Sequence, residues 1–284
     1  PEEFARRFEV YASAIKEACP DCTVVMGGLL DESSLGPYLR AFLDTGAGQL
    51  VDAFNFHYYG LAAPSERLPG AQTYLSGVRI YREVREILSE YGLGDRPVWV
   101  QETSTFSGCV GEICQTEVEQ AADLVKRFVT LRAARAERVF WCYVEEPSYE
   151  GTGRGFFDQT GLIYDGRGPW DRGAGVKKRG FYAYRTTSRL LGSARLEFSI
   201  NDSLTYLFKF STPKGPVSVV WQDWWVVRGP GQGGPLVLEG EGTLAALDLS
   251  GEEIALGSGS LELFLGKEPV FVLGEVSGFR YSGG

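Results

Sequence analysis

The first part of the chain alternates between amphipathic helical segments and short apolar segments, and this alternation constrains the fold more than any other feature. Apolar residues at helical spacing predict helices at 1–18, 39–43, 74–91, 117–136 and 178–191. Apolar runs rich in β-branched and aromatic residues predict strands at 23–26, 52–58, 97–102 and 138–144. Strands that alternate with helices form parallel sheets with helical crossovers. The sequence therefore predicts an α/β fold over residues 1–195.

The third predicted strand ends on a carboxylate. Regular alternation along this strand would place Val98, Val100 and Glu102 on one face. If that face points into a barrel, Glu102 lies at the carboxyl end of the strand, where active sites gather. A solvated glutamate at a strand exit is the alternative interpretation.

From about Leu196 the pattern changes to short alternating segments. They predict strands at 204–210, 217–222, 236–238, 244–249, 261–265 and 270–273. Ser250-Gly251 and the stretch 257–259 supply turn signals between them. We expect a second domain over residues 196–284, a small antiparallel β-sandwich. Three tryptophans in this region could form a platform for sugar rings, but core packing is the favoured interpretation: Trp221, Trp224 and Trp225.

The composition limits the partners. The formal net charge is −9 and the pI is about 4.9, which opposes binding to nucleic acid or to an anionic membrane surface. No apolar run approaches the roughly 20 residues that a membrane span requires. Neutral ligands fit this chain better.

The cysteines fall into two close pairs, Cys19 with Cys22 and Cys109 with Cys114, and Cys142 lies in a predicted strand. Short disulfides would suit an exported, extracellular or periplasmic protein, and free thiols fit the spacing equally well. A zinc site needs about four ligands, and the chain has one histidine, His57. We therefore expect no metal and no other cofactor.

Several residues with chemical potential follow the predicted strands. His57 and Tyr59 lie at the end of the second strand and share one face by alternation, Glu102 ends the third, and Trp141 lies in the fourth. The carboxyl ends of parallel strands meet at one edge, so these side chains could form one pocket. A carboxylate, a tyrosine that hydrogen-bonds it and a tryptophan that stacks on a sugar are the parts of a glycosidase site.

The order and spacing of several segments resemble the second half of a (β/α)8-barrel retaining glycoside hydrolase, of the clan A superfamily that includes cellulase-like and β-xylosidase-like families. The similar segments are Pro1-Glu2-Glu3-Phe4 with residues 19–28, then 52–60 (Asp-Ala-Phe-Asn-Phe-His-Tyr-Tyr-Gly), 98–103 (Val-Trp-Val-Gln-Glu-Thr), 140–143 (Phe-Trp-Cys-Tyr) and 178–191. Segments 247–253 and 268–272 are similar to the appended β domains of such enzymes.

The resemblance implies a partial barrel, strands 5–8 with their helices, that acts on a β-linked oligo- or polysaccharide. It implies that Glu102 is the catalytic nucleophile, that Tyr59 hydrogen-bonds it beside His57, and that Trp141 forms the floor of the sugar subsite. Glu145 and Glu146 are expected to be loop or subsite residues on the rim.

One part of the pattern is missing. A retaining mechanism needs two carboxylates about 5 Å apart. In the family that this chain resembles, the acid/base ends an Asn-Glu motif on strand 4, and Pro1-Glu2-Glu3-Phe4 resembles the segment just after that motif. We therefore expect this chain to be an inactive fragment of a longer enzyme. A non-catalytic carbohydrate-binding or scaffold protein and a transglycosylase are the alternatives.

Overall fold

The computed structural model describes residues 1–30, 32–61, 73–149, 151–202, 204–222 and 234–282. The chain divides into two compact units. The first unit consists of Pro1–Tyr59, Leu75–Thr103 and Ala134–Trp141, and the second of Gly60–Tyr74, Ser104–Ala133 and Cys142–Gly284. Each unit thus draws on separate parts of the sequence. The domain boundary expected at residue 195 stays a prediction.

The first unit contains a small parallel sheet and the helices that precede its strands. The helices are α1 (Glu2–Ala18), α2 (Glu32–Leu43) and most of α3 (Thr73–Glu90), with a short 3₁₀ helix at Ala47–Leu50. The strands are β1 (Phe54–Tyr59), β2 (Val98–Ser104) and β5 (Val139–Trp141), in the order β1-β2-β5. β2 and β5 run parallel. The predicted α/β pattern is confirmed.

The first predicted strand, at 23–26, is not a full strand. Its segment makes isolated parallel bridges to β1, Val25 with Ala53 and Leu29 with Phe56. The Gly27-Gly28 pair interrupts the β-branched run between these two bridges, and glycine weakens a strand interior because it loses more backbone entropy on ordering. The sheet of the first unit therefore has three regular strands and a bridged flanking segment in the described part of the chain.

Asp52 fixes this flanking segment to β1 and α1. Its Oδ2 accepts a hydrogen bond from the Val24 amide at 2.7 Å and lies 2.6 Å from Lys16 Nζ. Lys16 also donates to the Cys22 carbonyl at 2.8 Å, inside the loop closed by the Cys19–Cys22 disulfide. The hydrogen bond from Lys16, followed by that from Val24, lowers the pKa of Asp52.

The second unit begins with a small hairpin and two helices. The hairpin pairs β3 (Gly108–Val110) with β4 (Ile113–Gln115), and a disulfide joins Cys109 to Cys114 across it. The helices are α4 (Glu117–Ala133) and α5 (Arg179–Leu191). Both cysteine pairs are disulfides, so the disulfide alternative is the one that the structure contains.

Six antiparallel strands form the larger sheet of the second unit, in the order β10-β9-β11-β8-β7-β6. They are β6 (Arg195–Asn201), β7 (Thr205–Ser211), β8 (Val217–Gln222), β9 (Gly234–Leu247), β10 (Glu253–Leu265) and β11 (Val270–Tyr281). A buried core cluster draws from both halves of β9, where Leu236 and Leu238 join Leu244 and Ala246.

Two of the expected turns have different outcomes. The loop at Ser250-Gly251 does join β9 to β10, and Gly251 adopts a positive φ of 89° that favours glycine. The stretch 257–259 is not a turn, because it lies inside β10, where the pairing with β9 shifts register between Ser258 and Ser260. The sequence signal for a turn marks a bulge here. The strands expected at 236–238 and 244–249 are parts of one strand, β9, and the sandwich arrangement stays a prediction.

Trp221 is a core residue, as expected. It is fully buried and stacks against Tyr206 and Phe208 at centroid distances of 5.3 and 5.4 Å. Trp224 and Trp225 lie outside the described residues. Within the described part of the chain, no helix combines the length and apolar character that a membrane crossing requires.

Asp52→Asn should destabilise the protein by about 1 kcal/mol near neutral pH, because it removes a charge-assisted contact with Lys16. The folded-state pKa of Asp52 is lowered, so its contribution is complete above the unfolded value of 3.8 and is lost as the pH falls through the folded value. Urea unfolding of both proteins across this range measures the difference. Asp95→Asn, at an exposed aspartate of the same unit, is the control. A difference in unfolding free energy between wild type and Asp52→Asn that stayed constant down to acidic pH would contradict this explanation.

Candidate active site

The first unit brings three of the four expected site residues together. The Tyr59 hydroxyl donates a hydrogen bond to Oε2 of Glu102, and Nδ1 of His57 lies 3.4 Å from the same oxygen. His57 and Tyr59 are two residues apart in β1, so both side chains leave the same face of the strand. The Glu102 side chain is 38% exposed and that of His57 is 17% exposed. The carboxylate is thus held from β1 and remains accessible.

A bulge in β2 decides where Glu102 points. Val100 pairs with Val139 and Thr103 pairs with Trp141, so three steps along β2 match two along β5. The extra residue interrupts the alternation. Val98 and Val100 are buried, whereas Glu102 is partly exposed. The expectation that these three residues share one face by regular alternation is therefore wrong.

The bulge lets two successive side chains of β2 contact the same face of β1. Gln101 accepts a hydrogen bond from Asn55, and Glu102 accepts one from Tyr59. Asn55, His57 and Tyr59 alternate along β1 and share that face. Regular alternation would direct Gln101 and Glu102 to opposite faces.

Asn55 connects three segments beneath the carboxylate. It is 1% exposed, and its Nδ2 donates to the Met26 carbonyl at 2.8 Å and to Gln101 Oε1 at 2.9 Å. One side chain of β1 thereby bonds the bridged segment on one side and the β2 bulge on the other. Asn55 and Gln101 were not among the expected site residues. Their signal was present, because Asn55 is two residues before His57 and Gln101 directly precedes Glu102.

Gly28 lies against the imidazole ring of His57. A Cβ atom at Gly28 would overlap the ring at Nε2, Cε1 and Cδ2. The ring is thus packed directly on the backbone of the segment that follows the first predicted strand. A residue without a side chain is required here by close approach.

Trp141 ends β5 directly opposite Thr103, one residue beyond Glu102. The residue is 7% exposed. Only a small part of its ring can therefore be open to a ligand, and its role as a sugar platform stays a prediction. The peptide bond that follows, between Cys142 and Tyr143, is cis.

Glu146 differs from its expected place on the rim. It is 6% exposed and forms an ion pair with Lys178, which is fully buried. Lys178 Nζ also donates to Ser107 Oγ at 3.0 Å and to the Gln159 carbonyl at 3.2 Å. Burial raises the pKa of Glu146 and lowers that of Lys178, in each case against the effect of the partner charge. Glu146 is a structural residue of the second unit.

Three carboxylates of the second unit could hold a cation by distance alone, since oxygens of Glu146, Asp165 and Asp171 lie within 4.8 Å of one another. Each carboxylate already has a partner in the protein. Lys178 pairs with Glu146, Ser148 donates to Asp165, and the amides of Gly166 and Gly173 donate to Asp171. These contacts give the cluster a structural explanation without a metal ion.

The chain is similar in fold to part of several solved glycoside hydrolases. A family 39 glycoside hydrolase from the gut symbiont Bacteroides cellulosilyticus WH2 superposes with a TM-score of 0.71 at 18% identity, over 96% of this chain and 55% of that one. A glucosidase from Croceicoccus marinus gives 0.64 at 12% identity, over 96% and 64%. A monomeric β-xylosidase from Caulobacter crescentus CB15 gives 0.59 at 15% identity, over 95% and 64%.

These likenesses concern the fold, and the chain spans between 55% and 64% of the length of these three neighbours. No protein-family model matches the sequence, and no curated protein sequence matches it. The expected resemblance to glycoside hydrolases is confirmed at the level of fold. The half barrel stays a prediction.

Gly28→Ala should displace His57 and lower stability by about 1–3 kcal/mol, the usual range for overpacking. His57 is the only histidine in the chain, so its imidazole NMR signals report on this ring alone. Gly27→Ala is the matched control, because a Cβ there would make an ordinary contact with Phe4 at 3.4 Å. Unchanged His57 signals in Gly28→Ala would show that the ring does not depend on this close approach.

Proposed function

We propose that the chain belongs to a retaining glycoside hydrolase in which Glu102 is the nucleophile. The observation that carries this proposal is an accessible carboxylate held by a donor on the neighbouring strand, beside an imidazole. The glycoside-hydrolase fold of the chain raises the proposal above other uses of a glutamate. Tyr59, His57 and Trp141 complete the proposed sugar pocket.

The two oxygens of Glu102 have different surroundings. The contacts of Tyr59 and His57 are both made to Oε2. In the described part of the chain, Oε1 has no hydrogen-bond partner. We therefore assign Oε2 to orientation and Oε1 to attack on the anomeric carbon.

In this mechanism, Oε1 forms a bond to the anomeric carbon while the bond to the leaving oxygen breaks. A second carboxylic acid gives its proton to that oxygen and later takes a proton from water. Water then attacks the anomeric carbon, the ester bond breaks and the Glu102 carboxylate returns. Two displacements on one carbon give net retention of configuration.

We propose that the second acid comes from a part of the enzyme that lies upstream of Pro1. The lengths of the structural neighbours agree with this proposal, because the superposition on the family 39 enzyme includes 96% of this chain but only 55% of that enzyme. The substrate proposed is a β-linked saccharide. The neighbours include a glucosidase and a β-xylosidase, so aryl β-glucosides and β-xylosides are the first substrates to test.

Glu102→Gln in the intact enzyme should lower kcat by roughly a thousandfold or more, because the covalent route is lost. Glu102→Ala should recover turnover of an activated aryl glycoside when azide is added, and the product should be a glycosyl azide of inverted configuration. Glu137→Ala, at an exposed glutamate two residues before β5, is the control. Full activity of Glu102→Gln would refute the assignment. Glycan binding without turnover by the wild-type enzyme would favour the non-catalytic alternative.

Tyr59→Phe should lower kcat/KM by about 10- to 100-fold, the effect of losing a hydrogen bond to a charged group. The ring stays, so the fold should be preserved. Tyr58→Phe makes the same change on the opposite face of β1 and should leave activity unchanged. Steady-state kinetics on both variants separates the two positions, and equal losses would mean that the Tyr59 hydroxyl has no special role.

A further inference from the structure

The orientation of the Gln101 side chain follows from a chain of hydrogen bonds that begins at a backbone carbonyl. The Met26 oxygen can only accept, so the Asn55 atom 2.8 Å from it must be the NH₂ group. The same nitrogen lies 2.9 Å from Gln101, so the Gln101 atom that faces it must be the oxygen. The NH₂ group of Gln101 therefore points away from Asn55.

Gln101 directly precedes the proposed nucleophile in sequence, and the described residues of the chain leave its side chain uncovered. It is an exposed residue, whereas Asn55 is buried. The β2 bulge brings Gln101 and Glu102 to contacts with residues on one face of β1. A fixed amide donor is thus presented on the same face as the carboxylate.

The two neighbours have complementary chemistry. Glu102 is an acceptor when ionised, whereas the outward group of Gln101 has two donor hydrogens. A sugar hydroxyl oxygen has lone pairs that can accept from such a donor. A fixed donor costs a ligand less entropy than a freely rotating one, because Asn55 already holds the amide.

We propose that Gln101 is a specificity-determining residue whose side-chain NH₂ donates a hydrogen bond to one hydroxyl of the sugar bound at Glu102. This inference rests on the proposed function of Glu102. Asn55 acts as a positioning residue, since it fixes the direction of the Gln101 amide through the Met26 carbonyl. The ligand class is a neutral sugar with a hydroxyl close to the anomeric carbon.

The test is a thermodynamic cycle on the intact enzyme, in which removal of the Gln101 amide is combined with removal of single sugar hydroxyls. Wild type and Gln101→Met are compared on an aryl glycoside and on a set of analogues that each lack one hydroxyl. In the wild type, one deoxy analogue should lose about tenfold in kcat/KM, the effect of about one hydrogen bond. In Gln101→Met the same analogue and its parent should agree within about twofold, because the partner of that hydroxyl is absent.

Gln49→Met makes the same substitution at an exposed glutamine of the first unit and should keep the wild-type pattern. Gln101→Glu keeps an acceptor for Asn55 but removes the donor, so it should match Gln101→Met in the cycle. If every analogue keeps its wild-type penalty in Gln101→Met, the inference is overturned while the function stands. If the wild-type enzyme turns over no glycoside, the proposed function itself fails.

Discussion

The bulge in β2 is the constraint on which the candidate site depends. By adding one residue between Val100 and Thr103, it lets Glu102 contact His57 and Tyr59 while Val100 remains in the core. In a regular strand Val100 and Glu102 would point to the same face, because side chains two residues apart share a face, and both contacts could not be made at once. Bulges are common beside active sites, where they redirect a side chain without ending the strand.

Polar contacts around the bulge make its geometry specific. Asn55 bonds the Met26 carbonyl and Gln101 at once, and Gly28 allows the His57 ring to approach the backbone. Asn55 Nδ2 donates to segments on both sides of β1, so a register shift of either neighbouring segment would break one of these hydrogen bonds. The same contacts that stabilise the sheet therefore orient the groups beside the carboxylate.

The sequence predicted much of the secondary structure and where the site residues would occur, but not how β2 is shaped. Helical spacing located α1, α3, α4 and α5 to within a few residues, because amphipathic periodicity is a strong signal over several turns. Glycine signals were less reliable, since a bulge in β10 and a turn use the same residues. Glu146 was misplaced because its partner Lys178 is 32 residues away in the sequence.

The sequence by itself determined the α/β alternation, the antiparallel strands that follow it and the residues at the ends of β1 and β2. These features depend on local periodicity and on residue type, which a single chain displays directly. Only the tertiary structure decided that both Gln101 and Glu102 contact residues on one face of β1 and that Asn55 orients the Gln101 amide. The reason is physical: register shifts and hydrogen bonds between distant segments are set by the packing of neighbouring strands, and no local pattern encodes them.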